Sequence, residues 1–106
     1  MIQNNANVNA VRTEKWTALQ YAAQYGHVDV VKVLIQNGAD VNAVDEWKYT
    51  ALHYATKKGH VDVVKVLIQN GADVNAVTEQ KRTGLHFAAH TGHADVAKVL
   101  IQNCLL

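Results

Sequence analysis

TALHYATKKGHVDVVKVLIQNGADVNA, residues 50–76, reads as two short helices followed by a turn-rich loop, and the whole chain is built from it. Thr50, three residues ahead of His53, suits a helix N-cap, and Leu52, Tyr54 and Ala55 form a short apolar stripe behind it. Gly59 then breaks the chain. From His60 onward, apolar residues at 61, 63, 64, 67 and 68 follow the spacing of an amphipathic helix. Asp62 complements the dipole of its first turn, and Gly71 stands where a left-handed C-cap is wanted. Residues 72–82 alternate briefly and are rich in turn formers, which predicts an extended loop or short hairpin with little strand.

The pattern recurs at an offset of 33 from end to end. Thr17-Ala18-Leu19 returns as Thr50-Ala51-Leu52 and Thr83-Gly84-Leu85, and Gly26-His27 returns as Gly59-His60 and Gly92-His93. Met1 to Asn4 occupy the places of Leu34 to Asn37, and Ile101 to Asn103 those of Ile68 to Asn70. The chain therefore divides into a partial unit, 1–11, and units at 12–44, 45–77 and 78–106, the last of them terminal. In the first full unit, Thr17 and Gln20 have the spacing of a capping box. One such helix pair cannot bury its apolar face alone, so the units are expected to stack into a solenoid forming a single domain.

Composition narrows the function classes. The 106 residues are 49% hydrophobic and 18% charged, with 10 Lys or Arg against 9 Asp or Glu and a formal charge of +1. A folded chain follows, because disordered chains carry fewer apolar residues and more net charge. No clustered positive excess exists to attract nucleic acid or an anionic membrane, and neither is expected as a partner. Cys104 stands alone, and MIQNNANVNA at the N-terminus lacks the basic segment and apolar run of a secretory signal, so a reducing, cytoplasmic compartment is expected.

The unit resembles the ankyrin repeat over the whole chain, through Thr50-Ala51-Leu52-His53, Ala55, Gly59-His60 and the run from Gly71 to Ala76. The resemblance implies an all-α fold: an ankyrin-repeat solenoid of stacked helix-turn-helix units joined by extended, β-hairpin-like loops. It also implies a non-catalytic protein-binding module whose fingertip loops and first helices form a concave gripping face. The chain departs from the family pattern in three places. Ala18, Ala51 and Gly84 stand where the family has proline, which removes some preorganisation of the helix start. Lys15, Lys48 and Lys81 stand where it favours glycine, and each costs on the order of 1 kcal/mol if the loop needs a positive φ. Ala94 and Ala97 trim apolar surface as a terminal unit would, whereas Cys104, Leu105 and Leu106 add apolar groups, so a complete array and a piece of a longer one both fit. A near-identical framework with diversified contacts also fits a recently duplicated or designed protein.

Comparison of the units with one another points to a binding face. From the first unit to the second the differences are Arg12/Asp45, Thr13/Glu46, Glu14/Trp47, Trp16/Tyr49, Gln20/His53, Ala23/Thr56, Gln24/Lys57 and Tyr25/Lys58, and everything from Gly26 and Gly59 onward is identical. Lys32, Gln36 and Asn37, expected on the exposed side of the second helix, recur unchanged in all three units, so drift at exposed positions does not account for the pattern. The aromatics Trp16, Trp47, Tyr49 and Tyr25 are residue types that dominate interface hot spots. Tyr21, Tyr54 and Phe87 recur in register and are expected in the core. Glu14, Glu46, Lys57, Lys58, Glu79 and Arg82 form a mixed rim, and Thr13, Gln24, Gln80, His90 and Thr91 complete the expected partner-binding set.

No catalytic or metal chemistry is indicated. His86, His90 and His93 have helical spacing, but His86 and His93 repeat histidines of other units and Gly92 should break the helix, so structural hydrogen bonding is expected. No zinc spacing, phosphate loop or nucleophile motif occurs, and no cofactor is implied. Two other uses of the fold remain open. A nucleotide or other small ligand could stack on Trp16 or Trp47 beside Lys15, Lys48, Lys57 and Lys58. The chain, expected as a monomer, could otherwise associate weakly end to end through Leu105 and Leu106 as a structural spacer. Asn42 and Asn75 resemble asparagines hydroxylated in some ankyrin proteins, with a hydrogen-bonded loop role as the simpler reading.

Overall fold

The computed structural model describes residues 17–103, which form six helices: α1 (Ala18–Gln24), α2 (Val28–Gln36), α3 (Ala51–Lys58), α4 (Val61–Gln69), α5 (Gly84–Thr91) and α6 (Ala94–Asn103). Met1, Arg12, Thr13, Glu14, Lys15, Trp16, Cys104, Leu105 and Leu106 lie outside the described residues. Each first helix opens on a threonine with extended backbone, Thr17, Thr50 or Thr83, whose hydroxyl accepts from the backbone N–H three residues on. The return bond closes the capping box in every unit, through Gln20 in the first and through the imidazoles of His53 and His86 in the others. Gly59 and Gly92 end α3 and α5 in the left-handed conformation. On the second helices, Asn37, Asn70 and Asn103 donate their side-chain amides to the carbonyls of Val33, Val66 and Val99, each at 2.8 Å. That bond gives the recurring asparagine a local structural reason.

The helices stack in two rows, α1-α3-α5 and α2-α4-α6, with each pair packed across the rows. Small residues line the first row, with Ala22, Ala23, Ala51, Ala55 and Ala88 buried, while Val31, Val64, Leu67, Val96 and Leu100 fill the space toward the second. Burial of these side chains, not helix propensity, is what holds helices of seven to ten residues. No strand occurs among the described residues. The loops are hairpin-like only at their tips: Asp45 N–H donates to Tyr49 O at 3.1 Å, and Thr78 N–H donates to Arg82 O at 2.9 Å. Lys48 and Lys81 turn these tips with φ of 64° and 66°.

Neighbouring units are keyed together by histidine on glycine. The His60 imidazole lies against Gly26 of the preceding unit, 2.7 Å from where a Cβ would stand, and its Nε2–H donates to Gln24 O at 3.0 Å. His93 lies against Gly59 in the same way, with 2.6 Å to the missing Cβ. These glycines are therefore fixed twice, by a positive φ and by the ring above them. Gly92 has the positive φ, 79°, with nothing near its open side. Loops are tied as well: Asn42 donates to Gly71 O at 3.1 Å and accepts from Asp73 N–H at 2.8 Å, the hydrogen-bonded role expected of it.

Two stability measurements follow by thermal or urea unfolding. Gly92→Ala should cost about 1–2 kcal/mol, the backbone strain alone, and Gly59→Ala roughly 1–3 kcal/mol more, because its methyl must displace the His93 ring. Equal losses would show that the ring contact is without energetic weight. Lys48→Gly and Lys81→Gly should each stabilise by about 1 kcal/mol, a rise of roughly 4–8 °C in Tm.

Candidate functional site

Asp45 builds the fingertip that precedes α3. Its side chain is 3% exposed, its Oδ1 accepts from the N–H groups of Trp47 and Tyr49 at 2.9 and 3.0 Å, and its Oδ2 accepts from the Tyr54 hydroxyl. In the next unit the same place is held by Thr78, whose Oγ1 accepts from the N–H groups of Gln80 and Arg82, each at 3.3 Å, and the tyrosine is replaced by Phe87. An acid with a tyrosine thus alternates with a threonine and a phenylalanine, and no buried carboxylate is left without its donor. The two fingers are joined by Glu79 N–H donating to Trp47 O at 3.0 Å, which sets Glu79 beside Trp47.

Tyr49 descends from its finger into an aromatic cluster, with ring centroids 5.1 Å from Tyr54, 5.4 Å from Phe87 and 5.7 Å from His53. It is half-buried, so it is a platform shared by two units and not the freely exposed contact its sequence position suggested. Tyr54 and Phe87 are core residues as expected, whereas Tyr21 is only half-buried. Trp47 is 40% exposed, and the Lys57 ammonium sits over the Tyr49 ring, 5.9 Å from its centroid. Among the described residues neither Lys57 nor Glu79 takes part in an ion pair.

These residues enclose a cleft of about 400 Å³ lined by Gln24, Trp47, Tyr49, Tyr54, Lys57, Thr78, Glu79 and Gln80. Six of the residues singled out from sequence meet there: Gln24, Trp47, Tyr49, Lys57, Glu79 and Gln80. The side-chain oxygen of Gln24 is buried without a hydrogen-bond partner. Glu46, Lys58 and Arg82 are exposed nearby in sequence but do not line the cleft, and Tyr25, 59% exposed, stacks on Tyr21 at the end of α1. His90 and Thr91 are exposed at the end of α5, where the Thr91 hydroxyl donates to Phe87 O at 2.7 Å. Thr13, Glu14 and Trp16 lie outside the described residues. Tyr54 and Thr78 were missed as lining residues, and the paired exchange of Asp45 with Tyr54 for Thr78 with Phe87 is the sequence signal that marks them.

Three of the varied positions prove structural. Asp45, His53 and Thr56 are 3%, 1% and 0% exposed, so their differences between units reflect packing. His53 links two loops: Thr50 N–H donates to its Nδ1 at 2.8 Å, which fixes the neutral tautomer, and its Nε2–H donates to Ala76 O at 3.0 Å. Burial lowers its pKa, partly opposed by the Ala76 carbonyl and by Asp45. Gln20 does the same work in the first unit, accepting from Thr17 N–H at 2.9 Å and donating to Ala43 O at 3.1 Å.

The lowered pKa means that the unfolded chain takes up a proton that the folded chain resists. Stability should therefore be full above about pH 6.5 and fall as the pH drops below it, by at most about 1.4 kcal/mol per pH unit from this group. His53→Gln should leave stability at pH 8 within about 1 kcal/mol of the native chain and flatten the acid limb of a Tm-against-pH curve. An unchanged acid limb would locate the titration elsewhere.

Comparison with known proteins places this architecture. A family model described as ankyrin repeats (3 copies) matches residues 1–78, and one described as ankyrin repeats (many copies) matches residues 57–101. None of the curated proteins compared with the chain matches it.

Proposed function

The chain belongs to the ankyrin-repeat family, whose members are generally protein-protein interaction modules, and from that premise we propose that it binds a partner protein through the face made by its fingertips and first helices. One observation carries this reading: the exposed, varied residues Trp47, Lys57, Glu79 and Gln80 line one cleft, whereas Lys32, Lys65 and Lys98, also exposed but on the second helices, do not vary. Exposure alone would leave both faces free to change.

The chemistry of the face supports a protein partner. Trp47 and Tyr49 offer large amphipathic surface at little conformational cost, and Glu46, Lys58, Glu79 and Arg82 give a rim of both signs that favours register and specificity. Thr13, Glu14 and Trp16 join the set by the register of 33 alone. A nucleotide is the weaker fit. Only Lys57 among the lysines lines the cleft, and Glu79 stands in the same wall, where it would repel phosphate. The binding role is non-catalytic and needs no cofactor. No helix among the described residues is long and apolar enough to cross a membrane.

Capture of partners on the immobilised chain tests the proposal, with one triple variant on each face. Trp47→Ala/Lys58→Ala/Glu79→Ala should lose partner retention by tenfold or more. Lys32→Ala/Lys65→Ala/Lys98→Ala, on the opposite face, should retain it, with circular dichroism confirming that both fold. A partner lost from the second variant and kept by the first would move the binding face to the second helices.

A further inference from the structure

The cleft already shows what kind of group it seats. Its floor is the Tyr49 ring, and the chain's own Lys57 ammonium rests over that ring in the position of a cation–π contact. The Trp47 indole lines the cleft with much of its surface uncovered, and Glu79, an exposed carboxylate residue whose backbone N–H donates to Trp47 O, lines the cleft too. No described residue neutralises that carboxylate. Aromatic faces attract cations through their quadrupoles, and a carboxylate beside such a face accepts the donors at the edge of a flat cation.

Resting on the protein-binding reading above, we propose that the cleft receives one arginine side chain of the partner, its guanidinium against Trp47 and Tyr49 and its N–H groups directed to Glu79. Arginine fits better than lysine because a planar, weakly hydrated guanidinium stacks on a ring while still donating in its own plane. Lys57 then acts as a resident competitor. It occupies the seat in the free protein and must swing aside when the arginine enters. This gives the proposal a sign that no anion-binding reading shares: removing Lys57 strengthens the binding of a cation and weakens that of an anion.

The experiment selects peptides from a random display library on the full chain and measures the affinity of the selected synthetic peptides for the native protein and three variants. Arginine should be enriched at one position, and its replacement by lysine should weaken binding severalfold, roughly 3- to 10-fold. Trp47→Ala should weaken binding about tenfold or more, Glu79→Gln roughly 3- to 10-fold, and Lys57→Met should strengthen it about 2- to 5-fold. Peptides that need Trp47 but carry no arginine, or that bind Lys57→Met less well than the native chain, would overturn the arginine assignment and leave the binding face standing. Peptides indifferent to Trp47, or a library yielding none, would overturn both. Lys57 and Glu79 are exposed, and circular dichroism of each variant separates a binding loss from a folding loss.

Discussion

Everything on the inner face hangs from one kind of hydrogen-bonded clamp. The residue at the third position of each first helix reaches back to its own N-cap, and in the first two units its far end donates to the carbonyl of the next loop, Gln20 to Ala43 and His53 to Ala76. Each clamp satisfies a helix-start donor and a loop carbonyl together, in a place largely shut off from water where either one left alone would cost about 1–3 kcal/mol. Because the loop is fixed to the helix before it, the finger that follows stands at a set height above the first-helix row. The cleft between Trp47 and Glu79 exists because two such fingers are held in step.

The period, the helix pairs and the ankyrin-like architecture were legible because they rest on short-range rules. A threonine three residues ahead of Gln20 or His53, a glycine after each first helix and an apolar spacing of three and four are visible in a line of text. Depth is not. Comparison between units reports where side chains change, and it cannot tell an outward change such as Lys57 from an inward one such as Thr56, since both stand on the same short helix. Asp45 illustrates the point. It reads as a turn-forming loop residue, yet it is buried because three donors, two of them backbone N–H groups, converge on it.

The same limit explains Tyr49. Its contacts are with Tyr54 in its own unit and with Phe87 in the next, so its half-burial is a property of the stack and of no single unit. Solenoids are stabilised by nearest-neighbour interfaces, and the residues that create them look like surface residues when a unit is read alone. His60 and His93 show the converse case. Their recurrence suggested a structural role, and the role is to cover a glycine of the preceding unit that could not have been named without the stack. Not every departure is accounted for: a methyl at Gly84 would meet only ordinary contacts with Leu100 and Thr56, and nothing in the structure requires glycine there.

The distribution of rigidity bears on how such a face would bind. Tyr49 is held by its aromatic neighbours, and the finger bearing Trp47 is tied to the next finger through Glu79, so little ordering is left for a partner to impose on these anchors. The charged groups around them are free to adapt. At the tips, Lys48 and Lys81 keep a left-handed backbone that glycine would adopt without strain, at about 1 kcal/mol each. That strain lies on exposed residues of the fingers and nowhere on the second helices. Stability is given up at the fingertips, on the side of the stack that carries the varied residues Trp47, Glu79 and Gln80. Lys48 and Lys81 recur at the same place in successive units, so they belong to the fixed part of the fingertip and not to the part that varies.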